Sequence, residues 1–485
     1  MNKNNFYRPE IDGLRAVSVV SVLIYHLEIS ISHPVLPGGF LGVDIFFVIS
    51  GYLITTIILM DLKTKTFSFS NFIKRRIRRI LPILFLVILL TTIAAWFVIL
   101  PSSFINFSKS TIYTVFFNSN FFFWHDVFLK YSHEQAQLYP LLHTWSLAIE
   151  EQYYLIFPLV LFFLIKYLKK FTLLILTLTA IISLTLTQMF IFKYPSFVFY
   201  MLPFRIWEIL VGSICAYLIF YMNDYISKKN FVALVGFILI FLSFIFFNEN
   251  TPHPSIYTFV PILGVTLIIL FYNSSEKNFL TKMLTNDMMV KLGLISYSLY
   301  LIHFPIFSIS RRILNFEYYN VKIILVLISL VTSIILFKFI EKPFRKKNFE
   351  FKKISFFCIF LLSIILILNF LIIRNEGFVT RLKLSEFQEK MIFKKKDPTI
   401  QKYNFKKSDI IVIGNSHAID FEKILTNAEE LKYRNISRLN IQIFCLKQTI
   451  QNNYLVCERS FNSYKKKNFE RQIKLFNNAK FIILK

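Results

Sequence analysis

Long apolar segments alternate with short polar or basic segments through the first 373 residues of the chain. A membrane-spanning helix needs about 20 mostly apolar residues to cross roughly 30 Å of hydrocarbon. By this measure the sequence predicts eleven spans, at 14–31, 40–60, 80–100, 145–165, 171–191, 199–221, 231–247, 256–272, 292–313, 321–340 and 354–373. The first segment lacks a small-residue cleavage motif, so it is interpreted as a span and not as a signal peptide.

A twelfth apolar segment, Phe104–Trp124, is interrupted by Asn, Ser and Lys residues, and charge decides how it is placed. Lys and Arg concentrate in the cytoplasmic loops of membrane proteins. With eleven spans and a cytoplasmic N-terminus, the basic loops Lys74–Arg79, Lys166–Lys170 and Glu341–Lys347 all lie inside. We therefore predict that Phe104–Trp124 is a re-entrant or interfacial element. Arg311–Arg312, at the outer end of the ninth span, is an exception to this charge rule.

Composition supports the membrane topology. The chain is 55% hydrophobic, above the roughly 45–50% of a soluble protein. Its net charge of +27 would suggest nucleic-acid binding in a soluble protein. Here the cations cluster between apolar segments, which favours membrane topology over a nucleic-acid partner.

Residues 374–485 form a different region, which is charged, has no apolar span and lies outside the membrane if eleven spans precede it. The strand-like run Ser408–Ile413, the turn Gly414–His417 and the helix-like run Ala418–Lys432 predict the start of an α/β domain. We expect this domain to be incomplete, because no further units close it before the chain ends.

The four cysteines divide between these two regions. Cys215 and Cys358 lie in predicted spans, where a free cysteine behaves as a small apolar residue. Cys445 and Cys457 lie in the outer region, a setting that permits a disulfide, although two nearby cysteines can also remain unpaired.

The first predicted span carries one charged and one titratable side chain. Arg15 and His26 are eleven residues apart, almost three helical turns, so they share one helix face about 16 Å apart along the axis. Ionisable groups inside a membrane are costly unless they line a cavity or a site. We predict that Arg15 helps to hold an anionic donor and that His26 is a general base for an acceptor hydroxyl. The alternative is a packing histidine with a snorkelling arginine.

Asp44 lies near the start of the second span, among four glycines that permit close approach of another helix. We expect it either to pair with Arg15 or to orient His26. The alternative is a helix-start carboxylate that complements the helix dipole.

The basic loop after the second span carries Arg75, Arg76, Arg78 and Arg79. Arginine binds phosphate in a fork geometry, and a nucleotide-bearing thioester such as acyl-CoA has several phosphates. Because topology alone also makes an inner loop basic, these four arginines are candidates for donor binding.

Several later spans carry polar residues. His143, Ser146, Glu150 and Glu151 cluster at the outer mouth of the fourth span by helical spacing, and the helix dipole explains only one of the two carboxylates. Arg205 and Glu208, three residues apart, predict an internal ion pair in the sixth span. Two more positions are His303, interpreted as a hydrogen-bonded packing residue, and Glu341, near the inner end of the tenth span.

Seven sequence blocks, in order, resemble the signature of the membrane acyltransferase-3 family of the O-antigen acetylase type. They are DGLRAVSVVSVLIYH, GGFLGVDIFFVISGYLI, RRIRRILP, HTWSLAIEEQYYLIFP, RIWEILVGS, SYSLYLIHFPI and IEKPFR. The resemblance implies a membrane acyltransferase domain at 7–345 and a linking transmembrane helix at 346–373. It also implies that Arg15 and His26 form the essential Arg-x10-His motif of the family, that the arginine run serves the donor, and that Glu341 is a functional carboxylate.

The outer region, 374–485, resembles the beginning of an SGNH-hydrolase-like domain. In DIIVIGNSHAID, Ser416 occupies the nucleophile position, and Asn415 replaces the usual Asp. Such a serine is activated by a histidine and served by an oxyanion hole. The partner histidine of the family lies in a downstream Asp-x-x-His block that is absent here, so Ser416 is predicted to act only in a complete domain.

These features predict an α-helical polytopic protein of the bacterial inner membrane, followed by a partial extracytoplasmic α/β domain. The resemblance implies transfer of an acyl group, usually acetyl, from cytoplasmic acyl-CoA to a hydroxyl of an extracytoplasmic glycan. The open acceptors are O-antigen of lipopolysaccharide, peptidoglycan, exopolysaccharide, a lipid-linked glycan, a Nod-type oligosaccharide and a small macrolide. Acyl-CoA is expected as a co-substrate, with membrane lipid around the spans and with no bound cofactor or metal. The alternatives are a transporter of a glycan intermediate or proton-coupled solute, and an inactive sensor or scaffold.

Overall fold

A computed structural model of the protein divides into two units, Met1–Gly377 and Phe378–Lys485. The residues that it describes are 7–28, 34–128, 136–222, 225–314, 318–346, 349–378 and 381, and five short strands in the second unit.

The described part of the first unit is helical. Its α-helices, in chain order, are α1 Pro9–Glu28, α2 Gly42–Lys63, α3 Phe69–Val98, α4 Pro101–Val115, α5 Ser119–Phe122, α6 Thr144–Tyr167, α7 Thr172–Phe190, α8 Pro195–Tyr200, α9 Leu202–Met222, α10 Asn230–Phe246, α11 Phe259–Phe271, α12 Phe279–Leu284, α13 Asp287–Ser310, α14 Tyr319–Leu336, α15 Lys342–Arg345 and α16 Phe351–Arg374. Short 3₁₀ and π-helical turns lie at Gly39–Leu41, Phe123–Phe128, Lys169–Phe171, Ile256–Thr258 and Phe337–Glu341.

Each of the eleven predicted spans coincides with one of these helices. Within the described residues, eight helices are long and apolar enough to cross a membrane, namely those built on α2, α3, α6, α7, α9, α13, α14 and α16. The other three are α1, with charged residues in its first two turns, and α10 and α11, which are 17 and 13 residues long. Eleven spans therefore remain a prediction, and eight are supported by length and composition. The helix α4 ends within the segment Phe104–Trp124. It is 15 residues long, which is shorter than the roughly 20 residues of a full span.

The long helices form an inner and an outer layer. In the most apolar stretch of α13, 72% of the residues are buried, against 22% in α7 and in the helix that begins with α14. The outer helices expose apolar side chains such as Ile181, Ile182 and Ile328, as expected of surfaces that face lipid. The inner helices α1, α2, α9 and α13 consequently hold the buried polar groups.

Glycine permits two close helix contacts in this inner layer. A Cβ atom added to Gly51 of α2 would lie 1.9 Å from the carbonyl oxygen of Ile209 in α9. One added to Gly293 of α13 would lie 1.9 Å from the carbonyl oxygen of Asp12 in α1. These contacts hold α2 against α9 and α1 against α13 at a separation that no larger residue allows.

In the second unit, the described residues form strands β1 Ile410–Gly414, β2 Ile436–Asn440, β3 Ile450–Gln451, β4 Tyr454–Leu455 and β5 Phe481–Leu484. β1 pairs in parallel with β2 on one side and with β5 on the other, and β3 pairs with β4 in antiparallel fashion. β1 coincides with the strand that the sequence predicts. The α/β domain stays a prediction. So do the role of Ser416 and the pairing of Cys445 with Cys457, because these three residues lie outside the described ones. Buried Cys215 and Cys358 form no disulfide within the described residues.

Candidate active site

Five helices of the first unit enclose a cavity of about 840 Å³, which includes space open to solvent. Its apolar wall comes mainly from α2, through side chains such as Phe46, Leu53 and Ile57. Its polar lining consists of Arg15 from α1, Ser50 from α2, Arg76 and Arg79 from α3, Ser146, Glu150 and Tyr154 from α6, and Ser296, Tyr297 and Tyr300 from α13. We call this space the central cavity.

Positive charge is in excess in the central cavity, since three arginines and one glutamate line it. Arg15 donates a hydrogen bond from Nη1 to Oδ1 of Asp12 at 3.0 Å. Within the described residues, neither Arg76 nor Arg79 has a carboxylate oxygen within 4.0 Å. Guanidinium groups that have no carboxylate at ion-pair distance and surround an open space form a site suited to an anionic ligand.

The arginine run predicted as a loop is part of helix α3, so that prediction was wrong. α3 begins at Phe69, and the side chain of Ser68 caps it by accepting a hydrogen bond from the backbone N–H of Asn71. Arg, Lys and Ile continue the helix without a breaking residue, because these residue types tolerate helical geometry well. The run therefore presents its cations on defined helix faces.

Those faces divide the four predicted donor-binding arginines into two pairs. Arg76 and Arg79, three residues apart, both reach the central cavity. Arg75 forms an ion pair with Oδ2 of Asp61 at 2.6 Å. Arg78 donates to the carbonyl oxygen of Lys346 at 3.0 Å. The structure thus brings one pair of arginines to the cavity and places the other pair elsewhere.

The predicted cluster at the start of the fourth span is divided in the same way. Ser146 and Glu150 line the central cavity. Glu150 accepts hydrogen bonds from Ser50 Oγ and the Tyr154 hydroxyl, both at 3.1 Å. Glu151 is not among the lining residues, and its buried Oε1 has no hydrogen-bond partner within the described residues.

His26, His143 and His303 form a cluster beside the central cavity, which we call the histidine cluster. The Nδ1 atom of His26 lies 3.0 Å from Nε2 of His303, and the two rings stack with centroids 5.2 Å apart. The ring of His143 lies 5.7 Å from that of His303. His303, interpreted from sequence as a packing residue, is therefore the direct partner of His26. From the sequence, His26 was selected because an ionisable group inside a membrane is costly. The same argument holds for His303 and would have identified it as well.

Tyr300 and Ser146 separate the central cavity from the histidine cluster. Both residues line the cavity, and their hydroxyl oxygens are 2.6 Å apart. The Tyr300 hydroxyl also donates to the carbonyl oxygen of His143 at 3.0 Å, and its ring lies 5.6 Å from that of His303. His26 itself does not line the central cavity, so Arg15 and His26 lie on the two sides of this boundary.

The charge-rule exception at the end of the ninth predicted span has a local explanation. The guanidinium of Arg311 donates to the backbone carbonyl oxygen of His26, and Arg312 donates to that of Leu138 at 2.9 Å. The last carbonyls of a helix have no partner within it, and a cation there also complements the helix dipole. Arg311 therefore caps the end of α1 that carries His26.

Asp44 belongs to a second group, in which Asp44, Arg205 and Glu208 are fully buried. Its Oδ1 lies 2.8 Å from Nη2 of Arg205 and 3.0 Å from Nε2 of His253. Arg205 also pairs with Glu208 at 3.1 Å, which confirms that predicted ion pair. In the part of the chain that the structure describes, Asp44 contacts neither Arg15 nor His26, so the expectation that it pairs with Arg15 or orients His26 was wrong. It lies in the first turn of α2, as the helix-start alternative predicts. We call Asp44, Arg205, Glu208 and His253 the Asp44 network.

Glu341 ends the π-helical turn that follows α14 and is buried. Its Oε2 accepts a hydrogen bond from Ser298 Oγ at 2.7 Å, and its Oε1 pairs with Arg345 at 3.2 Å. It interacts electrostatically with Arg15 but does not line the central cavity. In the described residues, no group of three His, Cys, Asp or Glu side chains is arranged to hold a metal ion.

Comparison with known proteins identifies relatives with known names. Residues 8–340 match the acyltransferase-3 family, which is described as an acyltransferase domain. O-acetyltransferase OatA of Staphylococcus aureus strain MRSA252 is 33% identical over 463 residues, covering 87% of this chain and 74% of that protein. Peptidoglycan O-acetyltransferase OatA of Listeria monocytogenes is 33% identical over 360 residues, covering 71% and 56%.

O-acetyltransferase OatA of Staphylococcus aureus strain NCTC 8325 is 36% identical over 363 residues, and the match covers 58% of its length. The chain thus spans between 56% and 74% of these relatives. No solved structure matches it. The family match covers more than half of the chain and includes the central cavity, the histidine cluster and the Asp44 network. The chain therefore belongs to the acyltransferase-3 family of membrane enzymes.

Proposed function

We propose that the protein transfers an acetyl group from acyl-CoA to a hydroxyl of a cell-wall glycan, with peptidoglycan as the acceptor. One relative supports this acceptor, since the Listeria protein is named a peptidoglycan O-acetyltransferase. The Staphylococcus relatives are named O-acetyltransferase OatA, which supports transfer of an acetyl group to oxygen. Family membership supports the acyl-transfer chemistry.

The central cavity is the observation on which the choice of donor rests. Arg15, Arg76 and Arg79 line it together, and arginine pairs well with phosphate. The phosphates of acyl-CoA supply the negative charge that this lining lacks. The apolar wall from α2 suits the uncharged arm that links the phosphates to the thioester. By the positive-inside rule, the arginine side of the cavity faces the cytoplasm.

His26 is the proposed general base. His26 lies about 16 Å along α1 from Arg15, beyond the boundary that Ser146 and Tyr300 form. A donor whose thioester is remote from its phosphates would extend past this boundary to reach His26. Its free ring nitrogen takes the proton of the acceptor hydroxyl, or of a group that carries the acetyl across. The oxygen then attacks the thioester carbonyl carbon, the carbon–sulfur bond breaks, and the departing sulfur takes the proton from the imidazolium.

The outer region completes the proposal. With eleven spans and a cytoplasmic N-terminus, residues 374–485 lie outside the membrane. In a complete SGNH-like domain, Ser416 would receive the acetyl group and pass it to the glycan. The membrane is the cytoplasmic membrane of a bacterium, in keeping with the sources of the relatives.

The test is an assay of bilayer-embedded protein with acetyl-CoA labelled on its acetyl group and with peptidoglycan fragments as acceptor. We expect CoA release and label transfer for the wild type. In His26→Ala, the rates of CoA release and of label transfer should both fall about 10²–10⁴-fold, which is the usual contribution of a general base. His125→Ala, which removes a mostly exposed histidine, is the matched control and should retain activity. Full activity of His26→Ala would refute the role of the base, and absence of CoA release by the wild type would favour a transporter.

A further inference from the structure

We propose that His303 is a positioning residue that fixes the tautomer of His26, an inference that rests on the proposed function. The observation is a chain of hydrogen bonds that runs from a backbone carbonyl through His303 to His26. Its direction follows from which atoms are able to donate.

The chain starts at a group that only accepts. The Nδ1 atom of His303 lies 3.1 Å from the carbonyl oxygen of Leu299, one turn earlier in α13. A carbonyl oxygen has no hydrogen, so this contact is a hydrogen bond only if His303 carries its proton on Nδ1. In a neutral imidazole, Nε2 of His303 is then an acceptor.

The second link fixes His26. Nε2 of His303 lies 3.0 Å from Nδ1 of His26, and since the former accepts, the latter must donate. Neutral His26 is therefore the Nδ1–H tautomer, and its unshared pair is on Nε2. The other tautomer would place two unshared electron pairs opposite each other at 3.0 Å, which is electrostatically unfavourable.

The surroundings hold this arrangement in place. His303 is fully buried, at 0% exposure, and Phe304 packs edge-on against the His26 ring with centroids 4.8 Å apart. The guanidinium of Arg311 anchors the backbone carbonyl of His26. The ring therefore has one face and one edge occupied, and Nε2 is the atom that remains for proton transfer.

Two substitutions separate this role from simple packing. Gln at position 303 can turn a carbonyl oxygen to the place of the Nε2 acceptor, whereas Leu keeps the volume without an acceptor. We expect His303→Leu to lower kcat about 10–100-fold, as loss of an orienting partner does, and His303→Gln to restore most of it. The KM for acetyl-CoA should not change, because His303 does not line the central cavity. Ser308→Ala, another buried position of α13, is the control.

A structural measurement decides the matter without any assay of activity. The ring nitrogen shifts of His26, measured by ¹⁵N solid-state NMR of the full chain in bilayers near neutral pH, distinguish the two tautomers. We expect protonated Nδ1 and unprotonated Nε2 in the wild type and in His303→Gln, and the opposite tautomer to gain population in His303→Leu. An Nε2–H tautomer in the wild type, or equal kcat for the Leu and Gln variants, would overturn the proposal. Loss of acetyl transfer from the wild type with the expected NMR result would instead refute only the proposed function.

Discussion

The Asp44 network and the central cavity both place charged side chains inside the protein, and they do so in opposite ways. In the Asp44 network the side chains of Asp44, Arg205 and Glu208 are 0% exposed, and each carboxylate pairs with the guanidinium. In the central cavity three arginines face one glutamate across open space. Within the described residues, no carboxylate oxygen lies within 4.0 Å of Arg76 or Arg79, although Glu151 interacts with Arg76 over a longer distance.

This difference separates a structural arrangement from a binding site. A buried charge that is paired at hydrogen-bond distance joins two helices, because removing either partner leaves the other uncompensated. Cations that lie together without a close carboxylate lower the stability of the protein through mutual repulsion. A destabilising cluster of this kind is expected at a functional site whose ligand supplies the negative charge. The Asp44 network therefore joins α2 to α9, whereas the lining of the central cavity suits an anionic ligand.

Breaking the Asp44 network should produce the largest effect, and it should be an effect on stability. Arg205→Ala removes the guanidinium that pairs with both Asp44 and Glu208, which we expect to lower the free energy of unfolding by about 3–5 kcal/mol. Thermal unfolding of the detergent-solubilised protein measures this. Arg75→Ala is the control, because the Arg75 side chain is 40% exposed and its ion pair with Asp61 should contribute at most about 1 kcal/mol. If both variants lost the same free energy of unfolding, the buried ion pairs of the Asp44 network would be no more important for stability than an exposed ion pair.

Removing a cavity cation should act on the donor and leave stability intact. Arg79→Ala relieves repulsion, so we expect the unfolding temperature to stay the same or rise, while the KM for acetyl-CoA increases about tenfold, equivalent to roughly 1.4 kcal/mol. Arg78→Ala is the matched control from the adjacent position of α3, since its guanidinium binds the carbonyl of Lys346. A lower unfolding temperature with an unchanged KM would show that Arg79 is structural.

The sequence was informative where local spacing determines the answer. Apolar length located all eleven helices to within a few residues, apart from earlier starts to α1, α3 and α13. Helical period also predicted the Arg205–Glu208 pair, because three residues along a helix bring two side chains together. The same period separates Arg76 and Arg79 from Arg75 and Arg78, but it does not say which pair faces inward. That depends on how α3 is rotated against α2 and α6.

Long-range contacts explain what the sequence did not reveal. Asp44 pairs with Arg205 and His253, which lie 161 and 209 residues away. His303 is 277 residues from His26, so no local pattern links the two. A single sequence shows that such residues are buried and ionisable, and their partners emerge only when the inner helices pack.

The most direct test of the account compares two double variants that remove the same charge from the same helix. Equilibrium binding of acetyl-CoA to the full chain in bilayer discs would be measured for the wild type, Arg76→Ala/Arg79→Ala and Arg75→Ala/Arg78→Ala. Because charge-assisted hydrogen bonds contribute about 1.5–3 kcal/mol each, the account predicts that the first double variant loses about 100-fold or more in affinity. It predicts a change of no more than about twofold for the second, whose cations lie outside the cavity. Equal losses in both, or no binding by the wild type, would contradict it.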